Sequence, residues 1–268
     1  GGNMLLSKRS EMFLPGSWPS YYSKAKGCKV WTLEDKELID VSIMGIGTNI
    51  LGYGNESVDN AVRQVIERGN MSTFNCPEEV YLAEELIKMH SWAKMAKFAR
   101  TGGEANSIAV RIARAFTGKE KIAICGYHGW HDWYLATNLK NKNGLDNHLL
   151  SGLKADGVPS GLEGTVIPFN YNDLDSIQNI AKSNELAAIK MEVERNIPPN
   201  KGFLQAIRKL CDEKNIILIF DECTSGFREV FGGHHLKYKV NPDMAIFGKA
   251  LGNGYAITAI LGKKEIME

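Results

Sequence analysis

Apolar and polar positions change rhythm twice along this chain. Two short runs, Cys28-Lys29-Val30-Trp31-Thr32-Leu33 and Glu37-Leu38-Ile39-Asp40-Val41, flank the polar turn Glu34-Asp35-Lys36. That pattern predicts a β-hairpin. Glycines then recur at Gly45, Gly47, Gly52 and Gly54, marking a loop with unusual backbone demands. From Ser57 the apolar spacing turns helical. Val58 to Arg68 and Glu78 to Met89 are predicted helices, with Pro77 where a first turn tolerates proline.

Further along, strands and helices alternate. The predicted strands are Lys94 to Ala99, Lys121 to Cys125, Thr165 to Pro168, Ala187 to Met191, Ile216 to Phe220, Ala245 to Phe247 and Ala256 to Leu261. Glu104 to Phe116, Leu174 to Ser183 and Leu204 to Lys214 are the helices between them, and Asn138 to Gly164 reads as a surface excursion. Near-continuous apolar strands separated by amphipathic helices predict an α/β fold, a mostly parallel sheet covered on both faces. Ligands of such sheets sit outside the carboxyl ends of the strands. Thr101-Gly102-Gly103, Tyr127-His128, Glu192, Asp221 and Lys249 all fall at those ends.

With 268 residues the chain is long enough for one large domain with a sizeable core, or for that domain and a small appendage. Its net charge of +1 leaves no electrostatic footprint for nucleic acid or an anionic membrane. Nor does any apolar run approach the roughly 20 residues of a membrane span. Gly1 to Asn3, ahead of Met4, read as a remnant of added sequence. Cys28, Cys76, Cys125, Cys211 and Cys223 are odd in number and widely spaced. They predict reduced thiols and a cytoplasmic location rather than a disulfide scaffold or a zinc site.

The glycines of Thr101-Gly102-Gly103 would let backbone N–H groups approach an anion at a helix N-terminus, with phosphate the natural guest. A tight strand-helix turn explains the same residues. The dinucleotide fingerprint G-x-G-x-x-G is absent there. Tyr127, in Gly126-Tyr127-His128-Gly129-Trp130-His131, offers an aromatic face for a planar ligand. His128 and His131 have a spacing seen in metal sites, but no nearby residue completes a ligand set, so no metal is expected. His148, His234 and His235 are expected to be bland, the pair His234-His235 solvated in a loop. Glu192 and Asp221 each end an apolar strand, where a rim salt bridge is the ordinary role. Lys249, between Ala245-Ile246-Phe247-Gly248 and Ala250-Leu251-Gly252, has the weakest bland explanation. Burial there would lower its pKa and free its amine as a nucleophile. A carboxylate and an amine delivered by strand ends suit a pyridine-aldehyde cofactor: the amine forms a Schiff base, and the carboxylate keeps the ring nitrogen protonated.

Four segments carry a resemblance: Thr101 to Arg114 (TGGEANSIAVRIAR), Tyr127 to Asp132 (YHGWHD), Ile219 to Arg228 (IFDECTSGFR) and Pro242 to Tyr255 (PDMAIFGKALGNGY). They resemble the class III pyridoxal-phosphate aminotransferases, and among these the glutamate-1-semialdehyde 2,1-aminomutase-like proteins. The resemblance implies the fold type I architecture of pyridoxal-phosphate-dependent transferases, usually a homodimer. Residues 1–50 would be an N-terminal segment and 51–268 the large cofactor-binding domain, with the C-terminal small domain missing. It implies pyridoxal 5'-phosphate, cycling through pyridoxamine 5'-phosphate, and small amino and keto or aldehyde substrates. Lys249 would be the Schiff-base lysine and proton shuttle, and Asp221 the partner of the ring nitrogen. Gly102 and Gly103 would bind the phosphate. Tyr127 would stack on the ring with His128 beside it, and Glu192 and Asn196 would lie near the phenolic oxygen. The family commonly has Glu-Pro where this chain has Glu192-Val193. A catalytically incomplete fragment that at most binds cofactor is the alternative, and a nucleotide-binding α/β domain a weaker one.

Overall fold

The computed structural model describes residues 8–14, 16–148 and 152–268. These described residues fall in two units, one drawn from 8–75 and 252–255 and the other from 76–251 and 256–268.

The first unit holds a three-stranded antiparallel sheet of β1 (Tyr22–Lys26), β2 (Lys29–Thr32) and β3 (Glu37–Ile39). β2 and β3 form the expected hairpin, in the register Lys29↔Ile39 to Trp31↔Glu37. Its turn closes through Thr32 N–H to the Lys36 carbonyl (3.0 Å), with Asp35 at φ 60°. β1 had no sequence signal because Tyr22-Ser23-Lys24-Ala25-Lys26 buries almost nothing. All four loop glycines have positive φ. Gly52 shows why: a Cβ there would stand 3.3 Å from the Gly27 Cα, at the Gly27–Tyr53 bridge. The helix Glu56–Arg68 starts two residues before its predicted first position, because the Asn55 side chain caps it by accepting from Val58 N–H.

The second unit is built on a seven-stranded sheet. Its strands are β4 (Met95–Ala99), β5 (Lys121–Cys125), β6 (Val166–Pro168), β7 (Leu186–Glu192), β8 (Ile217–Asp221), β9 (Met244–Phe247) and β10 (Thr258–Gly262), ordered β4-β10-β9-β8-β7-β5-β6. β5 to β9 are parallel, and β10 runs antiparallel to both neighbours, β9 and β4. Every predicted strand is present within two residues of its expected bounds.

Strand alternation sorts the core into two faces. Ile122, Ile124, Ile217, Ile219, Met244 and Ile246 pack under the helix Gly102–Thr117, against its Ala105, Ala109, Val110 and Ala113. On the other face Ala123, Ile189, Met191, Leu218 and Phe220 meet the helices Leu174–Ser183 and Phe203–Lys214. Ala245, Phe247, Ala259 and Leu261 extend this second face towards Leu86 of the helix Pro77–Met89. Burial of every residue in β7, β8, β9 and β10 is why these strands read as near-continuous apolar runs.

Residues 138–164 run mostly over the surface, as expected, leaving aside 149–151, which lie outside the described residues, but three side chains pin the excursion inward. Asn138, Leu145 and His148 are buried. Asn138 accepts from Leu145 N–H (3.0 Å) and donates to the Leu153 carbonyl (2.6 Å), and His148 Nδ1 accepts from Gly126 N–H (3.0 Å). Polar side chains that satisfy buried backbone groups look like solvated loop in sequence.

Candidate functional site

The site grows from the carboxyl ends of β4, β5, β7, β8 and β9. After β4 the chain enters the helix Gly102–Thr117 through a reciprocal cap. Thr101 Oγ1 accepts from Glu104 N–H (3.2 Å), and Glu104 Oε2 accepts from Arg100 N–H (2.9 Å). The helix therefore begins at Gly102, not at Glu104, and both glycines stand in its first turn. Their amides have no carbonyl within the helix to bond and carry the positive end of its dipole. The surroundings require glycine here. A Cβ on Gly103 would stand 3.0 Å from His131 Nε2, and one on Gly129 (φ 98°) 3.1 Å from the Gly103 Cα. The loop after β5 thus lies directly against this helix end.

That loop delivers Tyr127 and His128. Tyr127 is partly buried, and its N–H donates to Glu192 Oε2 (3.1 Å). Gly126, at φ 112°, lets the carboxylate in: a Cβ there would be 2.5 Å from the same oxygen. His128 is buried, with Nδ1 2.9 Å from Asp221 Oδ2. His131 instead turns its Nδ1 to Ser107 Oγ (2.7 Å). The two histidines face different partners, and among the described residues no group of three or more His, Cys, Asp or Glu is placed to hold a metal ion.

Glu192 and Asp221 are register partners at the ends of β7 and β8. Asp221 is buried and accepts from Cys223 N–H at Oδ1 (3.1 Å). Burial opposes its charge, but the Lys190 amine, the His128 hydrogen bond and the Cys223 amide hold its carboxyl well below the usual carboxylate range. Burial and the nearby Lys190 push His128 down to about 4, so its imidazole is neutral at pH 7 and donates from Nδ1 to the carboxylate. Glu192 behaves oppositely. Burial carries it up to about 7 even though Arg195 Nε donates to its Oε1 at 3.0 Å. Asn196, four residues beyond Glu192, is exposed.

Lys249 follows β9 in a left-handed backbone conformation, φ 46°. Its Nζ donates to Thr224 Oγ1 (2.8 Å), and burial lowers its pKa. Cys223 ties the parts together. Cβ atoms placed on Gly102 and on Gly248 would lie 3.5 and 3.2 Å from its Sγ. The helix N-terminus, the Asp221 carboxylate and the Lys249 segment thus meet around one side chain.

Three features escaped sequence reasoning. Thr224, the acceptor for Lys249, lies inside the quoted segment Ile219 to Arg228 but was given no role of its own. Lys190 is fully buried on the β7 face that also presents Glu192, with Nζ 3.7 Å from Asp221 Oδ2. Its signal was available, a lysine inside the apolar run Leu186-Ala187-Ala188-Ile189-Lys190-Met191. The third is a correction: His234 and His235 are buried, not solvated. Both backbone amides donate to Glu222 (2.8 and 2.9 Å), which also takes the Ser225 hydroxyl (2.6 Å). His235 donates Nδ1–H to Glu222 Oε1 (2.6 Å) and accepts Trp92 Nε1–H at Nε2 (3.0 Å), which fixes its tautomer.

The residues fit a small anionic, aromatic guest with a reactive carbonyl. Backbone donors at the helix end suit a phosphate. An ionised carboxylate suits a protonated ring nitrogen, and a buried amine suits the carbonyl.

The family model described as aminotransferase class-III matches residues 15–268. The 3-aminobutyryl-CoA aminotransferase of Cloacimonas acidaminovorans is 35% identical, aligned over 97% of this chain and 61% of its own length. The glutamate-1-semialdehyde 2,1-aminomutase of Caldicellulosiruptor saccharolyticus is 36% identical, over 93% of this chain and 58% of its own length. A solved structure of a transaminase with pyridoxal phosphate bound matches with a TM-score of 0.83 at 25% identity, covering 97% of this chain and 63% of that one. The chain therefore spans less than two thirds of the length of each.

Proposed function

We propose, from the premise that this chain belongs to the class-III aminotransferase family, that it builds the cofactor cradle of an amino-group-transferring enzyme. The family's cofactor, pyridoxal 5'-phosphate, supplies an aldehyde that links to an amine and a pyridine ring that withdraws electrons. Lys249 is the Schiff-base lysine. Burial favours its unprotonated amine, Thr224 Oγ1 orients that amine, and Nζ then takes and returns the proton that moves during transfer. Asp221 pairs with the ring nitrogen, and His128 holds the carboxylate in place through Nδ1. Gly102 and Gly103 donate to the phosphate, Tyr127 covers the ring, and Glu192 and Asn196 line the phenolic-oxygen side.

The observation that carries this proposal is the meeting of helix end, Asp221 carboxylate and Lys249 segment around Cys223. The whole protein exchanges amino groups between small amino and keto or aldehyde molecules, by transamination or within one substrate, and works as a homodimer. The odd number and wide spacing of its five cysteines favour a reducing, cytoplasmic setting.

Borohydride reduction of the full-length protein after incubation with pyridoxal phosphate should leave a phosphopyridoxyl mass on Lys249. Lys249→Ala should carry none. The label on Lys190, or on neither lysine, would refute the assignment.

A further inference from the structure

Lys190 is a buried amine for which the proposed chemistry has no role; burial lowers its pKa and the Asp221 carboxylate opposes that shift. It stands two residues before Glu192 on β7, opposite Ile219 of β8, with 0% exposure. Its amine is 3.7 Å from Asp221 Oδ2, too far for a hydrogen bond, and among the described residues nothing accepts from it. The groups around it come from several elements. They are Asp221 at the end of β8, Cys223 just beyond, neutral His128 from the loop after β5, and Glu192 on its own strand. Glu192 is already engaged by Arg195, so Asp221 is the counter-charge left to the amine. His128 reaches the same oxygen, Oδ2. One carboxylate therefore serves two nitrogen groups before any ligand arrives.

Resting on the cofactor reading above, we propose that Lys190 is a tuning residue that competes with the cofactor's ring nitrogen for Asp221. Two positive charges beside one buried carboxylate repel each other strongly at the low effective dielectric of an interior. Binding of a ring that carries its proton therefore expels a proton from the pocket, from Lys190 or from the ring itself. Either way, this chain makes the ring nitrogen harder to keep protonated than Asp221 alone would. An apolar side chain at 190 would remove the competition and leave Asp221 wholly to the ring.

Pyridoxamine 5'-phosphate is a suitable probe, because it has no aldehyde and cannot link to Lys249. Its binding to the full-length apoprotein is measured by calorimetry in buffers of different ionisation enthalpy, at a pH where the free ring carries its proton. Wild type should release roughly one proton more per site than Lys190→Met or Lys190→Ile, where no charge remains to compete. The variants should also bind on the order of tenfold more tightly. A purely structural role would change the melting temperature and leave the proton count alone. Equal proton counts and affinities in all three proteins would overturn the proposal. If none of them binds the probe, the proposal falls. Borohydride labelling of Lys249 then tells whether the cradle falls with it: a label keeps the cradle, and no label removes both.

Discussion

Replacing Glu192 by glutamine tests the electrostatics of the site without any cofactor. The carboxyl is buried, and its two named contacts are Tyr127 N–H and the Arg195 guanidinium. Burial outweighs Arg195 and carries its pKa from the ordinary 4.5 up to about 7. The folded protein therefore binds a proton here that the unfolded chain has already lost between those two values. Stability falls as pH rises through this window, and the full cost of ionisation persists above it. At about 1.4 kcal/mol for each tenfold change in proton affinity, that cost is about 3 kcal/mol. Glutamine keeps an acceptor for Tyr127 N–H and carries no charge, so Glu192→Gln should show no such loss. Urea unfolding of the two apoproteins at about pH 5 and about pH 8 reads the difference. Part of the loss is already present at about pH 5, so the variant should gain about 2.5 kcal/mol on wild type between the two conditions. A difference independent of pH, or a variant that weakens as pH rises, would refute the reasoning. It would mean that the Arg195 pair more than repays the burial of the carboxylate.

Asp221→Asn should destabilise the apoprotein by about 3–5 kcal/mol, since it strips the buried Lys190 of its counter-charge. Adding Lys190→Met should recover most of that loss, as chemical unfolding of the double mutant would show. Gly126→Ala should cost about 1–3 kcal/mol by thermal unfolding, because φ is 112° and the new Cβ would meet Glu192 Oε2 at 2.5 Å. Glu222→Leu should cost about 3 kcal/mol or more in the same assay. It leaves His235, Ser225 and two backbone amides without their buried acceptor.

Strand bounds, burial and the glycine-rich corners were legible because each follows from local periodicity or from one backbone requirement. Ile217 to Phe220 could hardly be anything but a covered strand, and the helix-end glycines announced close approach. Lys249 stood out because a lysine between an apolar run and glycines has few ordinary explanations, whereas Asp221 alone could have been a rim carboxylate. What stayed hidden depends on partners distant in sequence. Lys190 meets Asp221 31 positions later, within the same face of the sheet. His235 finds Trp92 143 positions away. Such pairings exist only once the strands are in register, so the polarity of His234-His235 read as solvation. β1 was missed for the opposite reason: a strand that buries nothing writes no periodic pattern.

One feature of the sheet acts as a ruler. β10 runs between β4 and β9 in the opposite direction, so β4 and β9 point the same way while staying two strand spacings apart, about 10 Å. β4 leads to the glycine amides and β9 to the lysine. The gap between the proposed anion donors and the proposed nucleophile is thus set by backbone hydrogen bonding, which side-chain substitution barely alters. Mutations in the pocket can retune charge and shape, but the distance a guest must bridge belongs to the fold.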